Sequence, residues 1–218
     1  METSLNPVQL LAVAVLPLLF AITVHEVAHG WVARRLGDPT ALMMGRLTLN
    51  PIKHIDPIGT VAVPVFLLLT AGFIFGWAKP VPVTWENLRN PKRDMALVSA
   101  AGPGANLLMA LFWALVAKLA LTVGMQAPWA VQPLVLMGEL GIIFNLILMV
   151  LNLLPIPPLD GSRVVSSVLP ARWAYLYGRI EPFGLLVIIL LIATGLFGRL
   201  VGPPVFFLER TLYSMFGL

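Results

Sequence analysis

The chain has 218 residues, 59% of them hydrophobic and only 11% charged, and its mean hydropathy is +0.92, which excludes an ordinary soluble domain of this length. The net charge of +4 comes from Lys and Arg in short stretches between apolar runs, where they set membrane orientation and meet anionic headgroups; with no basic stripe of interleaved aromatics, nucleic acid is not an expected partner. There is no cysteine, so disulfides and thiolate chemistry are excluded, and any metal site must come from the three histidines, the acids and water.

Along the chain, apolar stretches run over roughly 8–33, 57–78, 95–122, 131–155 and 182–202, each near the about 20 residues that a helix needs to cross the hydrocarbon core. The first is preceded by no basic region and continues into charged residues, so it reads as retained rather than as a signal peptide. Basic residues crowd 34–53, 79–93 and 163–179 but are absent from 123–130. Five crossings would put these basic loops on opposite sides. The conflict disappears if 57–78 is a re-entrant element, leaving and returning by one face and buried against protein. The expected fold is therefore an all-α polytopic membrane protein with about four transmembrane helices, N-terminus outside, the re-entrant element 57–78, and a short C-terminal interfacial helix at Val205–Leu218. One membrane-embedded domain covers 1–218: a core over 8–165, an additional span at 182–202 and a tail at 203–218.

His25-Glu26-Val27-Ala28-His29 is an H-E-x-x-H pattern on an expected helix. Residues i and i+4 share a helical face, so both imidazoles reach one Zn²⁺ while Glu26 reaches the water beside it. The alternative is two core histidines bonding neighbouring helices. Three ionisable groups within five residues of a membrane span argue against that, because each is costly there. A third ligand is needed. His54, in a polar loop, and Asp160, after a Pro-rich stretch, are the candidates, and spacing alone does not choose; Asp160-Gly161 by itself is also an ordinary turn.

The H-E-x-x-H together with Asn152-Leu153-Leu154-Pro155-Ile156-Pro157-Pro158-Leu159-Asp160-Gly161 resembles the signature of the site-2 protease family of intramembrane zinc metalloproteases, peptidase family M50. Gly45-Arg46-Leu47-Thr48-Leu49-Asn50-Pro51 with His54 and Asp56-Pro57, then Lys79-Pro80-Val81-Pro82, then Ala101-Gly102-Pro103-Gly104-Ala105-Asn106 follow in the family's order, so the resemblance covers roughly 20–165. It is closest to the compact bacterial members, without a PDZ or C-terminal regulatory domain. The resemblance implies one Zn²⁺ per chain held by His25, His29 and Asp160, Glu26 as general base, and Asn152 near the metal as an oxyanion or substrate contact. It also implies a membrane-anchored protein substrate, cut within or next to its transmembrane segment, and a bacterial or archaeal cell membrane as the location. A geometric argument agrees with it. For one metal to touch all three ligands, the first span and 131–155 must run in the same direction, with the site near the face of Arg34 and Arg35, the cytoplasmic one.

His54 carries two readings, a loop histidine paired with Asp56 or a transition-state donor beside the metal. Asn106, in a run of small residues, reads as a packing residue whose amide can bond across helices, and Asn145 and Glu139 read as bonds to neighbouring spans or as interface markers, with no assigned chemistry. The competing functions are a catalytically idle membrane-protein binder, which is expected to have lost Glu26 or a ligand, and a metal transporter, which is expected to show paired repeats with broken helices. Neither feature is visible. Oligomeric state and natural substrate are not legible.

Overall fold

The computed structural model describes residues 6–71, 76–123 and 128–218. Helix α1 (Pro7–Arg35) starts in a capping box between Asn6 and Gln9 and ends with Arg34 and Arg35, whose charges suit the negative end of the helix dipole. A single turn, α2 (Thr40–Met43), a 3₁₀ turn at Pro51–His54 and a π-helical turn at Pro57–Ala62 lead into α3 (Val63–Ala71). An irregular strap over 76–84 follows. Then come α4 (Pro91–Val123), α5 (Pro128–Leu153), α6 (Asp160–Val168), α7 (Ala171–Gly178), α8 (Gly184–Ala193) and α9 (Leu196–Phe216). The described residues hold no strand. Among the described residues four stretches are long and apolar enough to cross a membrane: 8–35, 91–122, 130–153 and 171–193.

The centre of the molecule is α1, α4 and α5. Small residues bring α4 and α5 together: a Cβ on Gly141 would sit 2.2 Å from the Trp113 ring, and one on Gly138 would sit 2.7 Å from the Ala117 Cβ. The pairings 117 with 138, 113 with 141 and 106 with 145 run antiparallel. Those of α1 with α4 do too, as Ala21 and His25 meet Asn106 while His29 meets Val98. It follows that α1 and α5 run in the same direction, as one metal touching both ends requires.

Three differences from the sequence reading concern the outer elements. The last span runs over 171–193, not 182–202, and ends there because Gly195 adopts φ +72° and breaks the helix. The C-terminal helix therefore begins at Leu196, and its Val201, Val205 and Leu212 pack with Ala110, Trp113, Ile142 and Leu146 in the main core. The third difference is in 57–78, of which residues 72–75 lie outside the described residues. Its two ends meet: the Trp77 amide donates to the Gly59 carbonyl at 3.0 Å and the Thr60 hydroxyl to the Trp77 carbonyl at 2.9 Å. The segment thus leaves and returns at one place. It is not buried against protein, since Phe66 is 63% and Leu69 80% exposed; a helix satisfies its own backbone and needs no protein cover against lipid.

Candidate metal centre

The 3.6-residue period of α1 stacks His25 and His29, and the close packing of α1 on α4 buries both, at 6% and 7% exposure. Their Nε2 atoms lie 3.0 Å apart. Asp160, the first residue of α6, reaches them from beyond the end of α5, with Oδ2 at 3.2 Å from each Nε2. His54 is not in this cluster, so the structure brings Asp160, of the two candidates, to the paired histidines.

The hydrogen bonds behind the histidines fix their tautomers. The Asn106 amide nitrogen donates to the Ala21 carbonyl at 3.2 Å and to Asn145 Oδ1 at 2.9 Å, while Asn145 donates to the Gly141 carbonyl at 2.8 Å. Asn106 Oδ1 must then accept, and the His25 Nδ1–H donates to it at 2.6 Å. Likewise the His29 Nδ1–H donates to the Val98 carbonyl at 2.7 Å. In the neutral rings both Nε2 atoms therefore carry bare lone pairs. They face each other and a carboxylate oxygen, Asp160 Oδ2, that is buried with no hydrogen-bond donor. Three converging electron pairs repel unless a cation lies among them. The donor set of two imidazoles and one carboxylate is a zinc set, and tetrahedral bonds of about 2.0–2.1 Å place ligand atoms about 3.3 Å apart, close to the separations seen. Gly102 leaves the room: a Cβ there would lie 2.5 Å from His29 Nε2 and 2.6 Å from His25 Nε2.

Asn106 as a packing residue and Asn145 as a bond between neighbouring spans fit the Asn106–Asn145 contact, but the sequence did not connect that pair to the orientation of His25. Both are fully buried amides, and intramembrane amides with exacting partners were the available signal. Asn106→Leu, which keeps volume but removes the acceptor, is expected to weaken zinc affinity about 10- to 100-fold, measured by competition with a fluorescent chelator; unchanged affinity would show that His25 is oriented without it.

Around the three donors lies a cavity of about 140 Å³, lined among others by Glu26, Val81, Asn152 and Arg163. One Glu26 carboxylate oxygen, Oε2, accepts from the Val81 amide at 2.8 Å. Asn152 lines the cavity while its side-chain amide donates to the Leu148 carbonyl of its own helix at 2.9 Å. His54 is not among the lining residues. Its Nε2–H donates to the Thr48 carbonyl at 2.8 Å, and Asp56 caps Ile58 and Gly59 rather than pairing with it.

The strap that carries Val81 is held at its far end by Asp38. This carboxylate accepts from the Thr84 amide at 2.7 Å, from the Asn87 side chain at 3.1 Å, and from the Thr40 amide and hydroxyl. Burial alone would raise its pKa, but the bonds from Thr40, Thr84 and Asn87 outweigh burial and hold it below the ordinary carboxylate value. A carboxylate with a depressed folded pKa stabilises the fold above its unfolded pKa of about 4 and loses that stabilisation as pH falls through the folded value. Asp38→Asn is accordingly expected to cost about 1–3 kcal/mol at neutral pH. The difference from wild type should shrink below about pH 4 in pH-dependent thermal melts; a difference independent of pH would disprove the ionic contribution.

The profile of peptidase family M50 matches residues 124–194, the part of the chain that contains α5, Asp160 and α6. The protein named "Putative zinc metalloprotease YwhC" from Bacillus subtilis is 40% identical over 199 residues, which cover 90% of this chain and 87% of the relative. The chain belongs to peptidase family M50. Two proteins named "Putative zinc metalloprotease Rip2" are also similar. The one from Mycolicibacterium smegmatis is 30% identical over 83% of this chain and 66% of its own length, and the one from Mycobacterium tuberculosis 31% identical over 68% and 54%. No solved structure matches. Zinc is the cofactor of family M50, and the three bare donors described above fit it.

Proposed function

We propose that this M50 protein is an intramembrane zinc metalloendopeptidase that cuts membrane-anchored proteins within or beside a transmembrane segment. In this reading His25, His29 and Asp160 hold zinc, Glu26 is the general base, and Asn152 is a substrate or oxyanion contact. The observation that carries it is the meeting, in one cavity, of three lone pairs stripped of protons with a neighbouring carboxylate. Zinc bound there supplies a Lewis acid that polarises a peptide carbonyl and acidifies water. Glu26 takes the proton of the attacking water and returns it to the leaving amine. Asn152 keeps one amide hydrogen free of its bond to Leu148, and that hydrogen is available to the carbonyl oxygen as charge develops on it.

A helical substrate hides its carbonyls in i to i−4 bonds and must be drawn out before attack. The strap offers a partner for such a segment, because the Val83 amide and the Val81 and Pro82 carbonyls have no hydrogen bond among the described residues, and Val81 and Val83 line the cavity. His54 does not line the cavity, and its carbonyl accepts from the Lys79 amide at 2.9 Å, which ties its loop to the strap. Positive-inside bias supports a cytoplasmic site, since Arg34, Arg35, Lys92, Arg93 and Arg163 all lie at the metal's end of their helices.

The deciding experiment is cleavage of a single-span model protein by purified enzyme in liposomes, before and after chelation and with zinc restored. Cleavage lost on chelation and regained with zinc supports the reading. Cleavage indifferent to chelation would dismiss zinc chemistry, and tight zinc binding with no cleavage of any presented span would point to a binder.

A further inference from the structure

The block Gly45-Arg46-Leu47-Thr48-Leu49-Asn50-Pro51 lies outside the cavity, and its role is not explained by metal binding. Within it Arg46 is buried at 8% exposure, with no carboxylate in ion-pair contact among the described residues and a buried Nε that has no partner. A buried cation without a counter-charge is costly, so its hydrogen bonds carry unusual weight. They go to the strap. Arg46 Nη2 donates to the Lys79 carbonyl at 2.7 Å and lies 3.5 Å from the Pro80 carbonyl. The same loop grips the strap again where the Lys79 amide donates to the His54 carbonyl.

The Pro80 carbonyl and the Val81 N–H belong to one peptide group. In a planar trans peptide these two point in opposite directions, and on the N–H side sits Glu26 Oε2, at 2.8 Å. A guanidinium, a peptide dipole and a carboxylate therefore stand in sequence, with charge-assisted contacts at both ends that polarise one another.

We infer that Arg46 is a positioning residue for Glu26: through the carbonyls of Lys79 and Pro80 it fixes the peptide group whose N–H holds the carboxylate of the base beside the metal donors. This rests on the reading of Glu26 as the base. Arg46 touches neither substrate nor metal and holds only the Lys79–Pro80 end of the strap, whereas the Thr84 end is held by Asp38, so its loss acts first on the alignment of Glu26 and far less on the Val83 end offered to substrate.

The test uses full-length protein in liposomes with a single-span substrate. Arg46→Ala is expected to lower kcat about 10- to 100-fold, as loss of an orienting partner does, with KM within about twofold and zinc content unchanged. Methylguanidinium should restore part of the rate, and Arg46→Lys, which keeps the charge but not the planar fork, should fall between. Backbone hydrogen exchange supplies an arm that needs no turnover: exchange of the Lys79 and Val81 amides should quicken in Arg46→Lys, and that of the Val81 amide in Glu26→Ala. Unchanged exchange of the Lys79 and Val81 amides in Arg46→Lys overturns the inference. So does an Arg46→Ala protein whose KM and zinc content fail together with kcat, beyond rescue by methylguanidinium. If wild type cuts nothing while both exchange effects appear, the coupling of Arg46 to Glu26 is upheld and the protease reading falls.

Discussion

Glu26→Gln is expected to lower cleavage of a single-span substrate about 100- to 10,000-fold, the range that general acid–base catalysis contributes, while leaving bound zinc at the wild-type level. Glutamine preserves the shape of Glu26 and still accepts from the Val81 amide at the position now held by Oε2, so the strap is not released. What disappears is the basic lone pair, since an amide takes no proton from water near neutral pH. The selectivity of the effect is its value. Glu26 lies between the two histidines in sequence, yet it is absent from the cluster of three converging donors. A ligand role would therefore appear as lost metal, and a base role as lost turnover with metal kept. Parallel measurement of zinc by atomic emission and of cleavage by gel separates the two, and retention of near-normal cleavage would remove Glu26 from the mechanism altogether.

Asp160→Asn is expected to fail in the opposite manner, losing zinc first and activity as a consequence. Its Oδ2 is the only carboxylate oxygen of the cluster and lies 3.2 Å from both imidazole nitrogens. Asparagine removes the negative charge and can turn an NH₂ toward two nitrogens that lack protons, a hydrogen-bonded arrangement that competes with the ion instead of holding it. The loss of affinity should exceed the about 10- to 100-fold typical of outer partners such as Asn106. Isothermal titration with zinc after chelation measures it, and activity at saturating zinc should return only in part. An Asp160→Asn protein that purifies with a full complement of zinc would mean that another side chain supplies the third ligand. Gly102→Ala provides a check on the same centre from the α4 side, because its methyl group would press on both Nε2 atoms.

The local parts of this protein were legible in its residues. Composition required a membrane, five apolar runs less the one that charge bias turned back left four spans, and the i, i+4 spacing of His25 and His29 required a shared helical face, because helix periodicity depends on no distant contact. Charge bias, and the need for the first span and 131–155 to run in one direction, both require 57–78 to leave and return by one face, and the bonds between Gly59, Thr60 and Trp77 join its ends that way. Boundaries were less legible where an apolar run conceals a backbone break. The left-handed turn at Gly195 divides a stretch that hydropathy reads as continuous, since hydropathy sums side chains and is blind to φ.

Everything that prepares the site for chemistry depends on groups far apart in the chain. The spacing of His54 and Asp160 from the histidines left the third donor open, and the parallel course of α1 and α5 brings Asp160 to them. Asn106 looked like a helix-packing residue, and it is one, but packing also aims its oxygen at His25 because Asn145 and the Ala21 carbonyl occupy its donors. Side-chain chemistry and short-range periodicity were enough to require a membrane and to set His25, Glu26 and His29 together on one helix. Which nitrogen of each histidine is bare and which peptide group holds Glu26 could not be read that way, because a tautomer and a carboxylate orientation are set by the partners that three dimensions bring into reach.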